Sequence, residues 1–312
     1  MLKENLVAPE SFRVSTPGKL MLLGEHAVLS GSRCLVCAVN QRLNMTFKVR
    51  TDRRITITSS LGYYETDIDI SEMPSDFRFI LTALKTFKEQ LNHGLDLKVE
   101  SEFTPTVGLG SSAAVTAAVV GGLLQLVRDR WTLTDVFQVG LNVIRAVQGS
   151  GSGADLAAGI FGGILLYRSL PHEITPLPHI HPITVIYSGA KTPTTEVIKR
   201  VGTHSEKFPD LFHHIYSTMD KSVELAAAAI GQQDWIQFGE LLNLNQGLMD
   251  AIGVSNRRLA EIIFDLRAHE GILGAKISGS GLGDCVVGLG ETGQLGYEKL
   301  PLQMSKEGLR VD

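Results

Sequence analysis

The stretch from 105 to 127, PTVGLGSSAAVTAAVVGGLLQLV, constrains this chain most. It sets a glycine-dense loop directly before a helix expected over 112–127, and that helix is small or apolar on every face. A helix with no polar side is a buried one. The loop ahead of it, Val107, Gly108, Leu109, Gly110, Ser111 and Ser112, exposes consecutive backbone N–H groups, and the helix N-terminus adds partial positive charge. Together they suit a polyphosphate. Ser111 and Ser112 bring hydroxyls to the same spot, one of them able to ligate Mg²⁺, although no Gly-Lys-Ser/Thr is present and the loop is not a Walker loop. A plain N-cap with glycine-lined packing accounts for the same residues. The segment also fits the loose G-x-G-x-x-A dinucleotide pattern, but the preceding KVESEFTP is polar and carries Pro105, unlike the buried apolar strand of a Rossmann unit.

Three more glycine-rich segments carry candidates. In TPGKLMLLGEHAV, Lys19 follows Pro17-Gly18 and precedes an apolar run, so its stem is expected partly buried and its ammonium held in place, as suits a group near phosphates. Glu25 and His26 follow Gly24. A snorkelling strand lysine and a Glu-His cap are the structural alternative. In QGSGSGADLAAG, alternating glycines lead to Asp155, which either caps the next helix or accepts a hydroxyl proton during attack on phosphorus. The fourth segment, KISGSGLGDC, reads by itself as a hairpin. Four such loops, one with a lysine, one with paired serines and one with an aspartate, exceed what ordinary turns require.

The 312 residues are more than one core usually serves, and 44% hydrophobic with 20% charged residues is globular composition. A net charge of −4 argues against nucleic acid as a partner. The opening MLKENLVAPESFRVS has no apolar core of signal-peptide length, and no apolar run is long enough to span a bilayer, so a cytoplasmic protein without a membrane partner is expected. Three cysteines make no disulfide framework, and Cys34 and Cys37 in CLVCAV read as packed thiols on a core strand. Strands are expected at 12–14, 46–49, 54–59, 95–100 and 183–187. Helices are expected at 77–91, 134–147, 194–201, 210–231, 235–249 and 256–269. The prolines of PHEITPLPHIHP mark the best candidate domain boundary, and the whole reads as an α+β chain with mixed sheets in both halves.

In their order and residues these segments resemble the motifs of the GHMP kinases, the superfamily of galactokinase, homoserine kinase, mevalonate kinase and phosphomevalonate kinase. PGKLMLLGEHAVLSG is similar to the first motif, PTVGLGSSAAV to the second and GAKISGSGLGDCVVGLG to the third, while GSGSGADLAAGIFGG resembles the segment bearing the catalytic aspartate. The resemblance runs from about residue 13 to residue 290. GEHAVLSG looks like mevalonate kinases, whereas GSGADLAA and GDC are closer to phosphomevalonate kinases. Mevalonate kinases also carry a Mg²⁺-ligating Glu eleven residues before the aspartate, a position held here by Ile144.

The resemblance implies a two-domain GHMP fold, with an ATP-binding domain over 1–170, a C-terminal domain over 171–312 and the site in the cleft between them. It implies ATP and Mg²⁺ as cofactors, a small-molecule acceptor, and leaves a homodimer open. Asp155 would take the hydroxyl proton and Lys19 would hold Asp155 ionised; Ser112 would ligate Mg²⁺; residues 107–112 and Gly281 would contact nucleotide; Glu25, His26 and Ser152 would lie on the substrate side. The implied activity is ATP-dependent phosphorylation of mevalonate, a step of isoprenoid precursor synthesis. Phosphomevalonate or another GHMP-kinase acceptor is the runner-up. A non-catalytic ligand-binding relative is a third reading, disfavoured because Lys19 and Asp155 are both present.

Overall fold

The computed structural model describes residues 11–104, 107–293 and 295–312; the opening ten residues and Pro105, both used above, lie outside the described residues. Strands β1 (Ser11–Leu23) and β2 (Arg33–Val49) pair antiparallel from Ser11↔Lys48 to Leu23↔Leu35. Both far exceed the short segments expected at 12–14 and 46–49. The reason is burial on two faces: nearly every residue of LMLL and CLVCAV is covered, so no alternation betrays a strand there.

The first sheet continues through β5 (Leu95–Ser101), β3 (Arg54–Ser59) and β4 (Gly62–Asp67) in the order β12-β1-β2-β5-β3-β4, where β12 is Arg310–Val311. A branch from β2 adds the hairpin of β6 (Ile164–Ser169) and β7 (His172–Leu177). Helices α1 (Arg78–Thr86), α2 (Ser111–Val127), α3 (Leu133–Gln148) and α4 (Ala154–Phe161) accompany this sheet. As its composition requires, α2 is buried along most of its length. It lies so close to the sheet that a Cβ on Gly122 would come within 2.1 Å of the Phe47 ring. A capping box of Thr132 and Asp135 starts α3, whose Val136, Leu141 and Ile144 face inward.

The second sheet has the order β11-β8-β10-β9, formed by β8 (Ile183–Tyr187), β9 (Ile272–Ser278), β10 (Cys285–Gly290) and β11 (Lys299–Leu300). Four helices surround it: α5 (Thr194–Lys207), α6 (Pro209–Gln232), α7 (Trp235–Ala251) and α8 (Arg257–Arg267). The architecture is the mixed α+β, two-sheet arrangement.

The division expected at 170/171 falls inside the β6–β7 hairpin, where Ser169 pairs with His172. Strand β7 tolerates Pro176 because it is an edge strand, paired among the described residues with β6 alone, and the prolines from Pro171 to Pro182 are what made the segment read as a boundary. The chain's last strand also returns to the first sheet, pairing Val14 with Val311. One core cluster reaches both sheets, joining Val36 and Leu123 to Val185 and Val287, and a second gathers Ile186, Ile277 and Val286 of the second sheet with Val197, Met219 and Leu259. Cys34, Cys37 and Cys285 are buried free thiols, and burial pushes Cys37 and Cys285 up to about 12.

Candidate active site

Lys19 sits on β1 between two breaks in its register with β2, at Pro17/Lys19 and Met21/Leu23. The first break frees the Lys19 amide from the ladder, and it donates instead to Leu109 O at 3.0 Å. Strand β1 and the glycine loop are thereby fastened together. Above that contact the lysine stem crosses Gly110, where a Cβ would stand 2.9 Å from both Cγ and Cε of Lys19. Gly110, at φ 76°, precedes α2, and no side chain caps that helix end. The first amides of α2 have no partner inside the helix, and the Lys19 stem lies against Gly110 at that end.

Asp155 approaches from the opposite side. The Lys19 Nζ lies 3.2 Å from Asp155 Oδ2, with the lysine 8% and the aspartate 42% exposed by side chain. A buried cation thus holds a carboxylate that remains open to a ligand. Gly153, at φ 90°, makes the turn into α4, and Asp155 stands in its first turn. The buried Tyr167 donates its hydroxyl to Ser152 O and leaves no room for a Cβ on Gly153, while Ser152 Oγ accepts from the Ala154 amide at 3.3 Å. Ser152 therefore helps cap α4. Ile144 is buried on α3 and lies against Gly151, an apolar floor under the aspartate loop.

The segment of the third motif, KISGSGLGDC, closes over the loop before α2. Cys285 Sγ donates to Val107 O at 3.2 Å, and a Cβ on Gly108 would come within 2.8 Å of Asp284 Cγ. Asp284 is buried and holds φ 60°, a left-handed backbone that few non-glycine residues adopt. Burial pushes its carboxyl up, against the opposing pull of Lys191 and Lys19. Among the described residues Ser111 Oγ, Ser280 Oγ and Asp284 Oδ1 are buried with no hydrogen-bond partner. Unmatched polar atoms on the second and third motifs mark ground prepared for a polar ligand. Gly281, expected at the nucleotide, packs on the α7–α8 connection, where a Cβ would lie 2.4 Å from Val254 O.

Glu25, expected on the substrate side, turns its carboxylate to the fully buried Lys276 on β9, and Asn245 Nδ2 reaches its other oxygen at 3.5 Å. His26 follows at φ 61°, its Nε2 2.8 Å from Ser280 O. Burial lowers its pKa, so the ring is neutral and Nε2–H is the donor to that carbonyl. Sequence reasoning did not single out Lys276, Asn245, Tyr167 or Asp284. Lys276 alone left a usable signal, a lone charge in the apolar strand ILGAKIS.

The chain matches the description of the GHMP kinases N terminal domain over residues 78–163 and of the GHMP kinases C terminal over residues 226–302. The mevalonate kinase of Pyrococcus furiosus is 30% identical, across 96% of this chain and 97% of that protein. The chain belongs to the GHMP kinases. The mevalonate kinase of Archaeoglobus fulgidus is 33% identical over 96% of this chain and 99% of its own length. Among solved structures, the L. major mevalonate kinase in complex with R-mevalonate superposes with a TM-score of 0.75 at 25% identity, covering 89% of this chain and 86% of that one. As a GHMP kinase the protein is an ATP-dependent small-molecule kinase. No helix among the described residues is long and apolar enough to cross a membrane.

Proposed function

We propose that this GHMP kinase transfers the γ-phosphoryl group of ATP to the hydroxyl of mevalonate. The observation that carries the reading is the Lys19–Asp155 pair at 3.2 Å beside an uncapped helix N-terminus. Phosphoryl transfer asks little covalent chemistry of a protein; it asks for phosphates held in place, a proton acceptor and charge neutralisation. For the acceptor, the support is relatedness to mevalonate kinases over nearly the full length of both chains, at 30 and 33% identity.

In this mechanism the backbone amides of residues 107–112 wrap the β- and γ-phosphates. The acceptor oxygen attacks the γ-phosphorus as Asp155 takes its proton; the bond from phosphorus to the β–γ bridging oxygen breaks, and ADP leaves with that electron pair. Lys19, 3.2 Å from Asp155, holds that carboxylate in place and neutralises charge as it moves onto the leaving phosphate. His26, whose Nε2–H is held by Ser280 O, and the turn at Ser152 border the acceptor. The hydroxyls at the start of α2, with Ser111 Oγ buried and unpartnered, fit a metal-bound polyphosphate, since Mg²⁺ commonly takes one or two protein ligands and fills the rest from phosphates and water. Ser112 would hold it, and Mg²⁺ would supply neutralisation of the phosphate oxygens; α3 offers Ile144 and no acid at the matching position.

The test is a coupled ADP-release screen of mevalonate, 5-phosphomevalonate, homoserine and galactose. Mevalonate should lead, with kcat/KM at least tenfold above the phosphate ester, about 1.4 kcal/mol in transition-state binding. The reverse order would sink the assignment.

A further inference from the structure

Strand β9 is the edge of the second sheet, and α7 lies along that edge doing the work of a neighbouring strand. Asn243 Oδ1 accepts from the Ala275 amide at 3.0 Å, and Gln246 Oε1 from the Ile277 amide at 2.9 Å. The backbones approach so closely that a Cβ on Gly274 would lie 2.1 Å from Gly239 O. Residue 276, between those two anchored positions, therefore has little freedom. Its side chain is wholly buried, and its ammonium meets Glu25 Oε1 and Ile277 O.

A buried ion pair is a poor way to gain stability, because desolvating both charges offsets most of their attraction and an apolar pair of similar volume often does as well. What this pair does supply is a fixed point for the residue after Glu25. His26 holds φ 61°, a left-handed backbone conformation that persists in a non-glycine residue only where its surroundings enforce it. From there its ring donates to Ser280 O at 2.8 Å, and the same turn leads on to Asp284, which packs against Gly108 of the phosphate loop. Glu25 and Lys276 are 251 residues apart, so the contact ties the first motif to the third across the two sheets.

We infer that Lys276 is a positioning residue for the acceptor side of the site: paired with Glu25, it holds His26 and the Ser280 turn where the acceptor is bound. The inference rests on the proposed reading that mevalonate is the acceptor. It separates acceptor use from nucleotide use, because Lys19, Gly110 and the start of α2 take no part in the pair.

The decisive variant is the double substitution Glu25→Gln/Lys276→Met, since either single change leaves one partner buried without its complement and destabilises the fold for a trivial reason. The double variant should melt close to wild type and keep its KM for ATP within twofold, while kcat/KM for mevalonate falls tenfold or more. Wild-type kcat/KM for mevalonate in the folded double variant would overturn the inference, as would equal losses for ATP and mevalonate. A double variant that cannot fold would also overturn it, by making the pair a folding element. Failure of the acceptor reading shows separately, as a wild-type enzyme inert towards mevalonate, and the same comparison is then made with whichever acceptor of the screen the wild type uses.

Discussion

Replacing Gly110 by alanine should damage the rate far more than the fold. Gly110 holds φ 76°, and a side chain in that left-handed region costs about 1–2 kcal/mol. For a chain of 312 residues that lowers the melting temperature by roughly 1.5 °C per kcal/mol. The second effect is local. The new Cβ would stand 2.9 Å from Lys19 Cγ and Cε, closer than carbon atoms pack, so the lysine stem must move by several tenths of an ångström. Its ammonium then leaves the 3.2 Å contact with Asp155, and misplacement of a reacting group by about 1 Å can cost roughly 10²-fold in rate. Gly163→Ala is the control: Gly163 has φ 66° but nothing within 4 Å of the added carbon, so it carries the backbone cost without displacing a side chain. Thermal melts and coupled ADP release should show both variants destabilised to a similar degree and only Gly110→Ala slowed about a hundredfold. Equal kcat in the two variants would refute the reasoning.

Asp155→Asn should lower kcat by roughly 10²- to 10⁴-fold, the usual cost of losing a positioned base, with ATP binding and melting near wild type; retention of most of kcat removes Asp155 from the mechanism. Ser112→Ala should raise the Mg²⁺ concentration needed for half-maximal rate while leaving metal-free ADP affinity, measured by calorimetry, unchanged; an unaltered Mg²⁺ requirement rejects the ligand assignment. His26, lowered by burial below its ordinary 6.5, is neutral in the folded protein, so below about that pH the unfolded chain binds the extra proton. Its contribution to stability is complete above 6.5 and is lost as pH falls through the folded value, so melting temperature should drop more steeply between 6.5 and 5 in wild type than in His26→Gln. Parallel curves would mean that His26 is not held neutral.

The parts of this protein legible in its sequence are those where backbone chemistry restricts residue choice. Gly108, Gly110 and Gly153 adopt positive φ at close approaches, and α2 is small where Phe47 and Leu309 lie against Gly122 and Gly121. Such demands leave a local trace. Long strands covered on both faces leave none, which is why β1 and β2 read as fragments, and Pro176 with the prolines flanking β7 concealed an edge strand. The Glu25–Lys276 pair was illegible for a different reason: each residue looks like an isolated charge, and only the fold brings partners 251 positions apart into contact. Asp284 likewise reads as a hairpin residue until Gly108 is seen against it.

The central claim is a transfer of phosphorus to one hydroxyl, and ³¹P NMR of a reaction containing ATP, Mg²⁺, mevalonate and the enzyme observes it directly. The account predicts loss of the ATP γ-phosphate signal matched by growth of a single phosphate monoester signal coupled to the methylene protons of mevalonate, with ADP formed in equal amount and neither change in Asp155→Asn. Formation of ADP with inorganic phosphate alone would contradict it, as would transfer seen only when mevalonate is replaced by another alcohol or by 5-phosphomevalonate, whose monoester signal would give way to diphosphate signals.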